Sequence, residues 1–142
     1  MLGFGKGDMR IDLEKGSFGA GEKVRGNAIL TLKKPQKAKQ VRVILLAEQN
    51  VTRDTYNQGR PTSQSTTETV FRYEVQLDGE REYPASLYEY SFELPLPDQL
   101  PKQPGLVSSM FSGRGKIKWY VDAALDIPGG FDVSKKVQIN VG

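Results

Sequence analysis

The sequence of 142 residues contains no cysteine and no histidine. Without cysteine the chain forms no disulfide, has no thiolate nucleophile and offers no cysteine metal site, which suits a reducing compartment such as the cytoplasm. Without histidine it lacks the side chain most often used as a general base near neutral pH and as a metal ligand. Any catalytic chemistry would therefore have to rest on carboxylates, lysines or hydroxyls.

Long apolar runs and a strong charge of one sign are also missing. No segment is apolar enough to span a membrane, and the opening stretch MLGFGKGDMRIDLEKG lacks the continuous apolar region of a secretion signal. Twenty basic residues stand against seventeen acidic ones, and the two signs are interleaved along nearly the whole chain. The net charge of +3 is weak support for a nucleic-acid partner, and we expect none.

Alternation of apolar and polar residues with a period of two is the main structural signal in the sequence. It occurs twice between Gly115 and Val141, on either side of the break formed by Pro128, Gly129 and Gly130. Because successive side chains of a strand point to opposite faces, this stretch predicts two strands, each with one buried face. The same pattern predicts strands at Met9–Leu13, Lys23–Leu32, Val41–Leu46, Phe71–Leu77 and Glu82–Leu94.

Turn residues predict how some of these strands are connected. Asp78 and Gly79 form a pair typical of hairpin turns, so Phe71–Leu77 and Glu82–Leu94 are expected to be two long antiparallel strands of one hairpin. The segment 53–67 is rich in Ser, Thr, Gln, Gly and Pro and is interpreted as a long mobile loop. Val107–Arg114 is expected to be a loop or one short helical turn.

The fold class follows from the number of strands and the absence of helical periodicity. Seven or eight strands, regular turn signals and no amphipathic helix of eight or more residues predict an all-β fold. The expected architecture is an antiparallel, immunoglobulin-like β-sandwich. Since 142 residues suffice for one such domain with a substantial core, residues 1–142 are expected to form a single β-sandwich.

Two polar segments are candidates for a binding surface. In the segment 53–67, Tyr56 and Arg60 are the side chains best suited to recognition, because long loops in compact domains are often functional. The alternative is a solvated hairpin tip. The segment 33–39 would bind acidic peptides, phosphates or anionic lipid, although a solvated connecting loop is the preferred interpretation. Its cationic side chains are Lys33, Lys34, Lys37 and Lys39.

Catalysis and sugar binding are the competing functions. Asp122 and Asp126 lie four positions apart on one strand face, about 13 Å by strand rise, which exceeds the separation of paired carboxylates in glycosidases. No phosphate-binding glycine motif is present, and no catalytic, metal or cofactor residue is assigned. A carbohydrate- or small-ligand-binding sandwich would need exposed aromatics, whereas their spacing is also that of core residues, the preferred interpretation. The aromatics concerned are Tyr83, Tyr88, Tyr90 and Trp119.

Four motifs, in order, resemble the amino-terminal domain of the arrestin fold family, and of alpha-arrestins (arrestin-domain-containing proteins) in particular. They are FGAGEKVRGNAILTL (18–32), VRVILLAEQNV (41–51), YEYSFELPLPDQLP (88–101) and GKIKWYVDAALDIPGGFDVSKKVQINV (115–141). The third is similar to the family's aromatic strand that ends in Leu-Pro before a proline-marked crossing. The fourth is similar to the family's paired closing strands.

The resemblance implies a noncatalytic adaptor or scaffold. Arrestins, alpha-arrestins and the related retromer subunit bind other proteins, often membrane cargo, and bring them to trafficking or signalling machinery. A protein partner is therefore expected, and symmetric pairing of edge strands would make a homodimer. Membrane contact is expected only through a partner or through the segment 33–39.

The resemblance covers one sandwich, whereas arrestins carry two. The chain ends at Gly142, about where the first sandwich would end. It is therefore expected to be either a self-contained single-domain member or the first half of a longer product. No functional residue is transferred from the family.

Overall fold

The computed structural model describes residues 5–103 and 113–142, and within them the chain forms ten strands and no helix. Seven strands have seven or more residues, in agreement with the seven or eight expected, while β2, β4 and β7 are short. The strands are β1 (Gly7–Leu13), β2 (Ser17–Phe18), β3 (Lys23–Leu32), β4 (Gln36–Ala38), β5 (Gln40–Asn57), β6 (Arg60–Asp78), β7 (Arg81–Tyr83), β8 (Leu87–Pro95), β9 (Arg114–Asp126) and β10 (Val133–Val141).

Two sheets enclose the core. The first has three antiparallel strands in the order β1-β3-β8, and the second has five in the order β2-β10-β9-β5-β6. In the second sheet β2 runs parallel to β10, and every other pairing is antiparallel. A separate two-stranded ribbon joins β4 to β7. The all-β, antiparallel sandwich predicted from the alternation is confirmed.

The core is formed by the inward faces of both sheets. Trp119 of β9 is 3% exposed. Its ring centroid lies 5.4 Å from that of Phe71, which is on β6 at the other side of β5. Leu30 and Leu94 of the three-stranded sheet are fully buried in the same cluster. Phe18 of β2 is also buried there, so the short parallel strand adds an apolar side chain to the cluster. The predicted alternation in β9 and β10 is confirmed, since both strands turn one face to this core.

Gly26 allows a close approach between strands of the three-stranded sheet. A Cβ at this position would lie 2.5 Å from the carbonyl oxygen of Asp12 and 3.0 Å from the ring of Phe92. It would also lie 3.1 Å from the side chain of Leu13. The missing side chain therefore leaves the space that the Phe92 ring occupies.

The prediction of a long mobile loop at residues 53–67 is wrong. β5 and β6 form one long hairpin whose turn is Gln58 and Gly59, with single-residue bulges at Val70 and Leu77. Both have positive φ, 55° and 80°, as a type I′ turn requires. Every side chain described between Thr52 and Thr67 is exposed, so both faces of the ribbon are in contact with solvent. No apolar alternation marks these strands, which is why the pattern did not reveal them.

The predicted hairpin across Asp78 and Gly79 is also wrong. β6 pairs with β5, and β8 pairs with β3, so the chain passes from one sheet to the other after Asp78. The predicted strand 82–94 is divided into β7 and β8 by this passage. The Asp78 carboxylate accepts hydrogen bonds from the Gly79 N–H (2.8 Å), from Arg81 (3.0 Å) and from the Tyr90 hydroxyl (2.7 Å). These contacts stabilise a crossing instead of a two-residue turn.

Two other expected connections have different outcomes. Part of the segment 33–39 is the short strand β4, which pairs with β7, so this segment is not entirely a loop. The expected loop or turn at Val107–Arg114 lies outside the described residues, except for Gly113 and for Arg114, the first residue of β9.

Candidate functional site

The β5–β6 hairpin extends beyond the rest of its sheet. β9, the other neighbour of β5, begins at Arg114 opposite Val51, and the last backbone hydrogen bond there runs from the Thr52 N–H to the Gly113 carbonyl (2.7 Å). Beyond that point the two strands continue alone, with no third strand in the described part of the chain. We call residues 53–64 the arm, and by strand rise it is about 17 Å long.

Polar side chains brace the base of the arm. Glu68 accepts hydrogen bonds from Arg53 (3.4 Å) and from Arg114 (3.1 Å). Arg114 also donates to the side-chain oxygen of Gln49 at 3.2 Å. Gln49 is 5% exposed, and its amide nitrogen donates to the Gly115 carbonyl at 2.9 Å. The network ties β5, β6 and β9 together and fixes the direction in which the arm leaves the sandwich.

Gly113 makes the close contact at this base possible. Its φ is +70°, and a Cβ there would collide with the carbonyl oxygen of Thr52. A left-handed backbone conformation and the lack of space both favour glycine at this position. Gly113 was not predicted from the sequence, although the Gly-Arg-Gly run at 113–115 was the available signal.

Hydrogen bonds between side chains run along one face of the hairpin from its base toward the arm tip. They join residues that lie directly opposite each other on β5 and β6, which share a face of the sheet. Such cross-strand pairs stiffen a two-stranded ribbon that has no core of its own. The pairs are Thr67 with Asn50 (3.1 Å), Thr52 with Ser65 (3.2 Å) and Ser63 with Asp54 (2.7 Å).

Tyr56 and Arg60 both lie at the arm tip. Tyr56 is 81% exposed and lies opposite Pro61, whereas Arg60 lies opposite Asn57. Because successive side chains of a strand alternate between faces, Tyr56 and Arg60 point to opposite faces of the arm. The structure therefore brings these two predicted residues to one tip but not to one surface.

The lysines of the segment 33–39 lie at the opposite end of β5. All four are exposed, and within the described residues none of them forms an ion pair. Lys37 in β4 lies opposite Glu82 in β7 in the strand register, without an ion pair between their side chains. Lys39 precedes β5, and seventeen positions of mostly extended chain, roughly 50 Å, separate it from Tyr56. The lysines and the arm tip therefore do not form one site.

Two exposed apolar side chains were not identified from the sequence. Phe131, in the turn between β9 and β10, is 88% exposed, and the Lys6 ammonium group donates to its carbonyl oxygen at 2.7 Å. Leu87, the first residue of β8, is 62% exposed. The only sequence signal for Phe131 was an aromatic residue within a Gly/Pro-rich turn.

The tyrosines considered for sugar binding are used within the fold. Tyr83 is fully buried, and its hydroxyl donates to the Gly79 carbonyl. Tyr88 and Tyr90 are half-buried and donate to the Pro84 carbonyl and to Asp78. Burial, together with the hydrogen bond to Asp78, raises the pKa of Tyr90. The preference for a core role is confirmed for Tyr83, as it is for Trp119.

Asp122 and Asp126 lie on the outer face of the five-stranded sheet. Asp126 accepts hydrogen bonds from Gln40 (2.7 Å) and from Arg42 (3.1 Å), and its charge is therefore paired. Partial burial raises the pKa of Asp122, although Arg42 and Lys136 act in the other direction. Among the residues that the structure describes, no group of three or more acidic side chains is arranged to hold a metal ion.

Family comparisons agree with this architecture. The profile described as "Arrestin (or S-antigen), N-terminal domain" matches residues 7–141. The chain belongs to this family. The resemblance of the sequence motifs to an arrestin amino-terminal domain is therefore confirmed. No curated protein matches this arrestin-family domain.

A solved structure shows the same fold. The arrestin-family domain is similar to Spo0M, a sporulation control protein from Bacillus subtilis, with a TM-score of 0.66 and 21% sequence identity. The match covers 97% of this chain and 50% of Spo0M, so the chain spans half the length of that protein. Within residues 5–103 and 113–142 of the arrestin-family domain, no helix is long and apolar enough to cross a membrane.

Proposed function

We propose that this arrestin-family domain is a noncatalytic adaptor or scaffold that binds a protein partner through its arm. Membership of the family supports a protein-interaction role in general. The specific proposal rests on the arm, a two-stranded polar ribbon that is exposed to solvent on both faces. It extends from a base that side-chain hydrogen bonds hold in place. Trafficking or signalling in the cytoplasm is the setting in which we expect the adaptor to act.

The arm is suited to recognition because its shape is fixed before binding. The side-chain pairs along the hairpin and the Glu68 network at its base limit the conformational entropy that a partner would otherwise have to remove. At the tip, Tyr56 offers a large ring with few rotatable bonds, the type of side chain that often dominates interface energies. Arg60 on the other face offers a planar cation for a partner's carboxylate.

The polar groups of the domain also support a noncatalytic role. The sequence contains neither histidine nor cysteine. Asp126, one of the two carboxylates considered for catalysis, is already paired with Arg42. The carboxylates that interact with the remaining candidate, Asp122, are Asp126 and Glu48. Both are held in ion pairs, Asp126 with Arg42 and Glu48 with Lys136.

A shortened arm tests the proposal. Replacing residues 54–63 with Asn-Gly would close the hairpin at Arg53 and Gln64 with a loop of the same length and a favourable type I′ sequence. The tagged chain is crosslinked and purified from its native cells, and its partners are read by mass spectrometry. A partner recovered with the full arm should be lost with the shortened arm.

Point variants locate the contact within the arm. With the purified partner, Tyr56→Ser should weaken binding by about tenfold, the effect of one interface anchor. Phe131→Ser is the matched control, because Phe131 is an equally exposed aromatic residue outside the arm. Equal recovery of the same partner by the full and shortened arms would overturn the proposal.

A further inference from the structure

The hairpin geometry determines which backbone groups of β6 point away from β5. In a hairpin closed by a two-residue turn, the residues that flank the turn, here Asn57 and Arg60, form a hydrogen-bonded pair. Hydrogen-bonded and non-hydrogen-bonded pairs then alternate along the strands. The N–H and C=O groups that point outward from β6 therefore belong to Ser63, Ser65, Thr67 and Thr69.

An independent contact supports this alternation. Thr52 lies opposite Ser65, so its backbone should also point away from the hairpin. The Thr52 N–H does so, since it donates to the Gly113 carbonyl on the far side of β5 at 2.7 Å. This contact agrees with the assignment of the outward backbone groups of β6 to Ser63, Ser65, Thr67 and Thr69, and not to the residues between them.

The outward edge between Ser63 and Thr69 is open in the described part of the chain. β6 is the last strand of its sheet, and its side chains from Arg60 to Thr67 are exposed. Pro61 lacks an N–H and ends the edge on one side, while a bulge at Val70 interrupts it on the other. Residues 62–67 carry no charge and no proline, the usual devices that block an exposed edge.

We propose that this edge pairs with the same edge of a second copy of the chain. The two β6 strands run antiparallel about a two-fold axis at Thr66, which places Ser63 of one copy opposite Thr69 of the other. Ser65 of one copy then lies opposite Thr67 of the other. The four outward N–H groups and four outward carbonyls of each copy are all paired by eight backbone hydrogen bonds across the axis.

Self-complementarity favours a second copy as the partner. In this register the Gln64 amide of each copy lies beside the Glu68 carboxylate of the other, and Thr66 faces its equivalent. No like charges oppose each other between Ser63 and Thr69. Moving the axis to Ser65 would bring Pro61 into the pairing and lose a donor. The sequence of the edge therefore selects the register at Thr66.

The first test measures the mass of the purified chain. Sedimentation equilibrium across rising protein concentration should show the mass increasing from 15.8 kDa toward twice that value. Hydrogen exchange of individual amides, followed by NMR, should slow with concentration at Ser63, Ser65, Thr67 and Thr69. The amides at Gln64 and Thr66 should change little, because they already bond to β5. A mass that stays at 15.8 kDa into the millimolar range would overturn the proposal.

Matched variants test the edge itself. Ser65→Pro removes an outward donor without removing a backbone bond to β5, and it loses only the exposed side-chain hydrogen bond to Thr52. It should therefore abolish the dimer and lower the melting temperature only slightly. Gln64→Glu would place two acidic groups side by side and should weaken the dimer by about tenfold, whereas Gln64→Lys should not weaken it. A dimer that survives Ser65→Pro would place the interface elsewhere. Since the measurements use the purified chain alone, they are independent of the test for a protein partner.

Discussion

The Glu68 carboxylate lies 3.1 Å from the Arg114 guanidinium, so the edge strand β6 is tied to the first residue of β9 across β5. The same carboxylate accepts from Arg53, which is the first residue of the arm. All three side chains are partly exposed, and exposed ion pairs contribute about 0–1 kcal/mol to global stability. The main consequence of the network is local, because it fixes the arm.

Removing Glu68 should therefore loosen the arm more than it weakens the fold. For Glu68→Ala we expect a loss of less than about 1 kcal/mol in the free energy of unfolding and faster amide exchange from Arg53 to Gln64. Hydrogen exchange read by mass spectrometry checks this expectation. Glu93→Ala, which removes the exposed ion pair with Arg25, is the control and should leave exchange in the arm unchanged. Unaltered exchange in Glu68→Ala would show that the backbone alone fixes the arm.

The buried indole of Trp119 should be a large contributor to stability. Trp119→Ala removes a ring that is 3% exposed and packs on Phe71, so it should cost about 3–5 kcal/mol. Tyr56→Ala removes a ring that is 81% exposed and should change stability by about 0.5 kcal/mol or less. Urea denaturation of both variants gives the comparison. Similar losses in the two would contradict the assignment of Trp119 to the core.

The space at Gly26 should not tolerate a methyl group. Gly26→Ala would force its Cβ against the Asp12 carbonyl oxygen and the Phe92 ring, and overpacking of this kind costs about 1–3 kcal/mol. Gly16→Ala is the matched control, since a Cβ there would meet nothing within 4 Å and φ is not positive. Thermal unfolding followed by circular dichroism distinguishes the two. Equal melting temperatures would show that β1 and β8 can separate at little cost.

The strands with one buried face could be predicted from the sequence. Lys23–Leu32 was predicted with the bounds that β3 has, because Val24, Leu30 and Leu32 alternate with polar residues. β9 and β10 were found in the same way. The pattern works where a strand separates core from solvent, since burial then selects every second residue.

The arm could not be predicted as a hairpin by that method. Its two faces are both solvated, so selection for apolar residues is absent, and the two residues that close it are Gln58 and Gly59 instead of the usual Asn-Gly. The pairing of β6 with β5 was missed for a related reason. Asp78 and Gly79 carry a hairpin signal, but hydrogen bonds from Arg81 and Tyr90 to Asp78 stabilise a crossing there. These contacts depend on tertiary structure that local sequence does not contain.

Neutralising the lysine segment should leave the proposed arm contact intact. In a variant with Gln at positions 33, 34, 37 and 39, we expect the dissociation constant for a partner of the arm to change by less than about threefold, because surface charges roughly 50 Å away are screened. Titrations at several salt concentrations check this. A clear loss of affinity with a flatter salt dependence would instead assign Lys33, Lys34, Lys37 and Lys39 to the contact.

The half-buried carboxylate of Asp122 should make the fold less stable at neutral pH than it would be with a neutral side chain. Burial raises the pKa of Asp122 above its ordinary value of 3.8 despite the nearby Arg42 and Lys136. The folded state therefore binds a proton more tightly than the unfolded state does. Between the unfolded and folded pKa values, the contribution of this group to stability falls as pH rises, and it is constant above that range.

Asp122→Asn removes this titration and should raise the free energy of unfolding at pH 7. Asp78 has the opposite behaviour, since burial is outweighed by hydrogen bonds from Arg81, Tyr90 and Gly79 that lower its pKa. Its contribution is lost as pH falls, and the two effects overlap in the wild type. The informative measurement is therefore the difference in unfolding free energy between Asp122→Asn and the wild type across pH 2.5–7. It should be near zero at the acid end and grow with pH; a difference that does not depend on pH would mean that the Asp122 carboxylate ionises freely in the folded protein.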